Sequence, residues 1–262
     1  MAEVVVGGVR IAYRRRGSGP ALVIFHGAFE DSRIWADEFE RLDSYVDLVA
    51  WDAPGCGASD DVPPGWGDED WADAASGFVT ALGLTAPAVA GFSLGSVFAL
   101  LLARDHPESV GGLVLVGAYA GWGGSLDAAS LEQRVAMSRF TMEHPVEDWA
   151  ENLLDTVYPA DAPRQLRARA RSFLDDWRPG TTAAVIDVML QDLRPDLPSV
   201  QTPTVVVRGT ADARSPRSAS LEICDLRPHA RFVEGAGAGH DGTGPELDAV
   251  LIAASRKAAG GR

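Results

Sequence analysis

Val89-Ala90-Gly91-Phe92-Ser93-Leu94-Gly95-Ser96 places a Gly-x-Ser-x-Gly pattern between a short apolar run and a helix-forming stretch over residues 97–104. A serine held on a sharp strand-to-helix turn is presented at the top of a sheet. Glycine is needed on both sides, because so tight a turn leaves no room for a Cβ. The pattern names a nucleophile, and a nucleophile demands a base, an orienting acid and an oxyanion site elsewhere in the chain.

Working outward, short apolar runs rich in β-branched residues recur. They lie at 21–25, 46–51, 86–90, 112–116 and 204–207, with a weaker one at 231–234. Such runs read as strands buried on both faces. Two further strands, 4–6 and 9–15, flank the turn signal Gly7-Gly8 and predict an opening hairpin. Helical stretches at 34–42, 69–82, 97–104, 217–226 and 247–257 lie between and after the runs. Strands alternating with helices predict an α/β fold, a mostly parallel sheet covered on both faces.

The alternation stops between residues 120 and 202. Helical stretches fill that interval at 126–143, 146–158, 164–177 and 181–193, punctuated by Pro145, Pro159, Pro163 and Pro179. An all-helical block inserted after a sheet strand reads as a lid. The expected organisation is a core of residues 1–119 and 203–262 with a cap of 120–202. Trp149, Trp177 and Met189 in the cap, Trp122 at its start and Phe29 in the core are the candidate pocket residues. Packing of the cap onto itself explains the cap side chains equally well.

In chain order, an acid and then a histidine are expected after the serine. His240 follows the glycine-rich run Gly235-Ala236-Gly237-Ala238-Gly239 after the last strand run. The other histidines compete poorly. His106 precedes Pro107 at a helix end, His144 lies in the cap, and His229 follows Pro228 on a surface turn. Asp212 ends Val205-Val206-Val207-Arg208-Gly209-Thr210-Ala211, a strand running into a loop, where a carboxylate can accept the imidazole Nδ1–H. Its bland alternative is a turn or helix cap. The other strand end that could carry an acid reads Gly117-Ala118-Tyr119. For the oxyanion, Leu94 N–H stands at a helix start, and Ala28 N–H follows the 21–25 strand in His26-Gly27-Ala28-Phe29. His26 then braces that loop rather than acting as a base.

Composition narrows the function further. The 262 residues suit one domain, or a core with a large insertion, and 46% of them are apolar. A formal charge of −14 argues against nucleic acid and anionic membrane surfaces as partners. The two cysteines, Cys56 and Cys224, make no disulfide framework and are expected reduced. With no signal-like start and no spanning apolar run, the expected location is cytoplasmic. No metal or cofactor is required, and a homodimer is compatible with the sequence.

These motifs together resemble the α/β-hydrolase superfamily. The likeness rests on His26-Gly27 with Trp35 downstream, Asp52-x-Pro-Gly-x-Gly-x-Ser59, Gly91-x-Ser93-x-Gly95, Gly209-x-x-Asp212 and Gly239-His240. It implies a central sheet of about eight mostly parallel strands under a helical cap. It also implies a triad of Ser93, Asp212 and His240, with Ala28 and Leu94 as the oxyanion donors. The expected activity is a serine hydrolase cleaving an ester or lactone of a small, largely apolar molecule through an acyl-enzyme. A carbon–carbon bond hydrolase or biosynthetic tailoring enzyme is the alternative. A ligand sensor without turnover is a third reading, disfavoured because every part of the triad is retained.

Overall fold

A computed structural model of the chain describes all residues except Pro159, Pro228, Thr243, Gly261 and Arg262. Eight strands form one sheet: β1 (Ala2–Val6), β2 (Val9–Gly17), β3 (Ala21–Phe25), β4 (Asp47–Trp51), β5 (Ala88–Phe92), β6 (Gly112–Val116), β7 (Thr204–Gly209) and β8 (Arg231–Gly235). Their order across the sheet is β1-β2-β4-β3-β5-β6-β7-β8. The opening hairpin of β1 and β2 is antiparallel, β2 joins β4 antiparallel, and every later pairing is parallel. From β3 the chain steps to β4 on one side, then crosses to β5 on the other. The crevice outside the carboxyl ends of β3 and β5 is therefore a topological switch point, where open α/β sheets bind ligands.

The period-two alternation of the strands supplies both apolar layers. In β3, Val23 and Phe25 join one core while Leu22 and Ile24 join the other; in β4, Val49 and Trp51 face opposite Leu48 and Ala50. The first layer is covered by α2 (Asp68–Ala81), α3 (Leu94–Asp105) and α9 (Arg217–Leu226), and the second by α1 (Ala36–Leu42) and α10 (Pro245–Gly260). Residues Leu94 to Ala103 of α3 are all buried, as a helix apolar on every side must be. Phe98 of α3 stacks on Trp71 of α2, ring centroids 4.5 Å apart.

Between β6 and β7 the described residues form helices only: α4 (Trp122–Ser125), α5 (Ala128–Glu143), α6 (Ala150–Val157), α7 (Arg164–Asp175) and α8 (Pro179–Met189). The differences from sequence expectation lie mostly here. The expected helix 146–158 is a short 3-10 turn, Val146–Asp148, followed by α6, and α4 was not anticipated. Asp127 caps α5 by accepting Ser130 N–H (2.9 Å), so that helix starts two residues after the expected 126. A small apolar cluster of Trp149, Leu153, Leu154, Tyr158, Ala170 and Leu174 holds α6 to α7. Pro159, expected to end a helix, lies outside the described residues, as does Pro228.

Candidate active site

Ser93 occupies the single residue between β5 and α3. The strand runs to Phe92 and the helix begins at Leu94, so the turn is tighter than the expected helix start at 97. Ser93 takes φ 51° and ψ −112°, a conformation unfavourable for a residue with a Cβ. The flanking glycines let the turn close. A Cβ on Gly91 would collide with the Gly95 carbonyl, and one on Gly95 with the Phe25 carbonyl at the end of β3. Ser96 Oγ donates to the Ser93 carbonyl oxygen (2.5 Å), and Ser93 N–H to Val116 of β6 (2.9 Å). Local chemistry and the neighbouring strand thus both hold the strained turn.

Asp212 follows β7 and His240 follows β8, and the loops bring them together. His240 Nδ1 lies 2.9 Å from Asp212 Oδ2, both side chains buried. The other carboxylate oxygen accepts N–H from Arg214 (2.7 Å) and Ser215 (2.9 Å). Burial works against the Asp212 charge, but the bond and charge of His240 and these N–H groups outweigh it, so its pKa falls below the usual value. Burial dominates at His240 and lowers its pKa despite Asp212, favouring the neutral imidazole that a general base requires. His240 Nε2 is buried and has no hydrogen-bond partner among the described residues. It shares a chamber with Ser93, to which no hydrogen bond joins it.

Leu94, as the first residue of α3, has an N–H with no partner inside the helix. Ala28 stands in the loop after β3, on the strand next to β5, and lines the same chamber as Ser93 and His240. His26 is fully buried beneath that loop. Its Nε2 accepts Ala53 N–H (3.0 Å) and its Nδ1 faces the Gly27 carbonyl oxygen (2.8 Å). Burial lowers its pKa, and the two contacts define a neutral ring protonated on Nδ1. His26 therefore braces the loop from β3 against the turn after β4. That second turn is held by Asp52, which accepts Ser32 N–H (2.8 Å) and Ala58 N–H (2.9 Å), and by Ser59 Oγ donating to the Asp52 carbonyl (2.6 Å). Cys56 in this turn is a free, buried thiol whose pKa is pushed up by burial, the opposite of an activated nucleophile.

Two chambers meet at Ser93. Counting their open mouths, they enclose about 430 and 700 Å³ of empty space. Ser93, Ala28, Phe29, Leu153 and Arg214 border both. Trp122, Trp177 and Met189 line the second chamber as well, with Tyr119, Met137 and Val185. Trp149 lines neither. It lies behind Phe29, ring centroids 5.4 Å apart, within the α6–α7 cluster. The remaining histidines are remote: His106 contacts Asp73 (2.7 Å), His144 stacks on Phe140, and His229 is exposed.

Sequence reasoning did not single out Glu30, Arg134 or Arg214, which also line the chambers. Glu30 accepts Gly27 N–H (3.0 Å); burial pushes its pKa up to about 8, with Asp241 and Asp31 adding to the rise against the Gly27 bond and Arg214. Glu30 and Arg214 each lie two residues past a motif residue, Ala28 and Asp212, and that adjacency was the available signal. Arg134 sits on α5 with no motif near it.

No group of three or more His, Cys, Asp or Glu among the described residues is arranged to hold a metal ion. No helix among them is long and apolar enough to cross a membrane. A family model for the alpha/beta hydrolase fold matches residues 20–243. A pimeloyl-(acyl-carrier protein) methyl ester esterase of Xanthomonas axonopodis pv. citri is 32% identical over 235 residues, 86% of this chain and 89% of the relative. A 2-(acetamidomethylene)succinate hydrolase of Mesorhizobium japonicum is 28% identical over 248 residues, 91% of this chain and 87% of the relative. The enol-lactonase of Burkholderia xenovorans LB400 superposes with a TM-score of 0.85 at 21% identity, covering 98% of this chain and 99% of that one. At that identity the structural likeness concerns the fold.

Proposed function

The chain belongs to the α/β-hydrolase family, and from that premise we propose that it is a serine hydrolase cleaving an ester or lactone of a small molecule. One observation carries the reading: a buried His240, oriented by Asp212 and with no partner for its Nε2 among the described residues, borders the chamber that Ser93 enters on a strained turn. The name of the 32% identical relative, a methyl ester esterase, agrees with ester cleavage.

In this mechanism Ser93 Oγ adds to the substrate carbonyl carbon while its proton passes to His240 Nε2. The carbonyl oxygen becomes an oxyanion held by the N–H groups of Ala28 and Leu94, with the start of α3 adding its dipole. Asp212 keeps the imidazole in the Nδ1–H form and stabilises the imidazolium. Collapse of the adduct breaks the carbonyl–oxygen bond, and the leaving alkoxide takes the proton from His240. Water, deprotonated by His240, then cleaves the Ser93 ester and returns the serine. The helices between β6 and β7 act as the lid that keeps bulk water from the acyl-enzyme.

The test is mass spectrometry of the intact protein and of its proteolytic peptides after a brief mix with an activated aryl ester, in wild type and Ser93→Ala. An added acyl group on the wild-type peptide containing Ser93, absent from the variant, is the expected result. An acyl group on another residue, or aryl ester turnover undiminished in Ser93→Ala, removes the assignment.

A further inference from the structure

The chain has a net charge of −14, and its structural arginines find carboxylates readily. Arg33 bridges Asp31 and Asp176, Arg41 bridges Glu38 and Asp248, and Arg194 bridges Asp192 and Glu222. Arg134 and Arg214 behave differently. They face the second chamber beside Ser93, Ala28 and Leu94, and neither forms an ion pair with a carboxylate among the described residues. Arg134 donates to the Arg214 carbonyl oxygen (2.7 Å), which Tyr119 Oη–H also reaches (2.7 Å). Arg214 donates to Thr156 Oγ1 (2.9 Å). Each guanidinium has five N–H donors, so these bonds leave most of them unused.

The nearby acids Asp212 and Glu30 offset this charge only in part. Asp212 is committed to His240 and to two backbone N–H groups. Glu30, with its pKa raised to about 8 by burial, is mostly uncharged at neutral pH. Arg214 itself is lowered to about 10, first by burial and then by the charge of Arg134, so it stays cationic. Two like charges are thus held together in a largely apolar chamber, a costly arrangement that an anion between them would relieve. Guanidinium forks match carboxylates better than any other side chain does.

We infer that Arg134 and Arg214 form a carboxylate-binding subsite of the Ser93 chamber, so that the substrate is an ester or lactone bearing a free carboxylate away from its scissile bond. This rests on the serine-hydrolase reading above for which bond is cut, but the anion site itself does not. The apolar walls of Tyr119, Met137 and Leu153 hold the carbon chain between the two ends. Arg134 comes from α5 and Arg214 from the core, so an anion bound between them also draws the helical segment onto the sheet. A purely structural pair, tying α5 to the loop after β7, would not discriminate between charged and neutral substrates.

The experiment measures kcat/KM for monomethyl and dimethyl esters of succinate, glutarate and adipate. In wild type the best half-ester is favoured over its diester by on the order of tenfold or more, and high salt shrinks that ratio. Arg134→Gln collapses the ratio, whatever it does to absolute rates, and Arg134→Lys restores part of it. Arg214→Gln repeats the test from the core side. A wild-type ratio near one, or a ratio that Arg134→Gln leaves in place, overturns the subsite. If no ester is turned over, the hydrolase reading falls and glutarate binding by calorimetry decides the subsite. Binding to wild type that Arg134→Gln abolishes supports it; no binding to wild type overturns it.

Discussion

The sheet and the helical segment between β6 and β7 are built by different rules. Strands β5 and β6 are buried at every position, and the helices on them bury whole faces. In α5, by contrast, the buried residues are Ser138 and Thr141, while Met137 and Phe140 are exposed. The segment is fastened to the core by apolar and polar contacts together: Trp122, Val185, Val188 and Met189 join the first apolar layer and Phe173 the second. Arg33 reaches Asp176, Arg169 reaches Asp37 (2.8 Å), Thr181 Oγ1 donates to the Gly55 carbonyl (2.6 Å), and His240 N–H donates to Val157 (3.1 Å). Exposed ion pairs of this kind contribute roughly 0–1 kcal/mol each. The core is held throughout by burial; in the segment burial is concentrated at α8 and Phe173, while α5 and the exposed ion pairs add contacts that individually cost little to break. A fully packed part that presents Ser93, Asp212 and His240, beside a helix with few buried residues, suits a reaction needing both fixed geometry and access.

The sharpest way to break this comparison is at the fully packed part. Ser93→Ala removes one oxygen from a turn that packing already holds, so the fold should survive. Turnover of the preferred ester should fall about 10³- to 10⁶-fold, as when other triads lose their nucleophile. Steady-state kinetics with circular dichroism on the same sample checks both halves. A loss of fold alongside activity would mean that the serine side chain itself stabilises the turn.

Stability gives the next test. Phe98 is fully buried between Trp71 and Trp51, with centroids at 4.5 and 5.9 Å. Phe98→Ala should cost about 3–5 kcal/mol, from lost transfer energy and the cavity left behind. Urea unfolding measures it. A cost below about 1 kcal/mol would show that α3 repacks freely and that the core is not the fully packed half.

What the sequence disclosed follows the same division. Strands β3 to β7 were legible because each buried run is short, continuous and β-branched, β1 and β2 through the turn signal Gly7-Gly8 between them, and the partly exposed β8 only as a weaker run. The placement of Ser93, Asp212 and His240 at the ends of β5, β7 and β8 was legible because strand ends need particular turn residues, and those residues mark the place. In the helical segment neither signal exists. Trp149, Trp177 and Met189 were equally good candidates by sequence, yet Trp177 and Met189 reach a chamber while Trp149 packs behind Phe29. Which face of a helix meets the site depends on how α5, α6 and α8 dock, through contacts between residues far apart in the chain. Arg134 illustrates this: a polar residue on a helix whose residues are half polar, it becomes notable only when Arg214 is beside it.

Glu30 tests the seam between the two regions by pH. Its carboxyl lies in the loop after β3, facing Leu153, Leu154 and Tyr158 of the helical segment in the first chamber. Its folded pKa of about 8 exceeds the ordinary 4.5. The folded protein therefore holds this proton more tightly than the unfolded chain does. The associated stability is fully present below pH 4.5 and is lost as pH rises through 8. Glu30→Gln has no proton to lose, so its melting temperature should decline less than wild type between pH 6 and 9. Parallel melting curves for both proteins would indicate that solvent already reaches the carboxyl and that the seam is open.

The smallest effect should come from the outer face of α5. Phe140 is 36% exposed, and its main partner is the ring of His144 one turn on, at 3.8 Å. Truncating it removes little buried area, and alanine is the better helix former. Phe140→Ala should therefore change unfolding free energy by no more than about 0.5 kcal/mol, against the several kcal/mol at Phe98. Its effect on kcat should be equally slight, since Phe140 borders neither chamber at Ser93. A cost comparable with that of Phe98→Ala would mean that the exposed ring is covered in solution. The outer face of α5 would then be packed like the core, and the contrast between the buried sheet and this half-exposed helix would have to be given up.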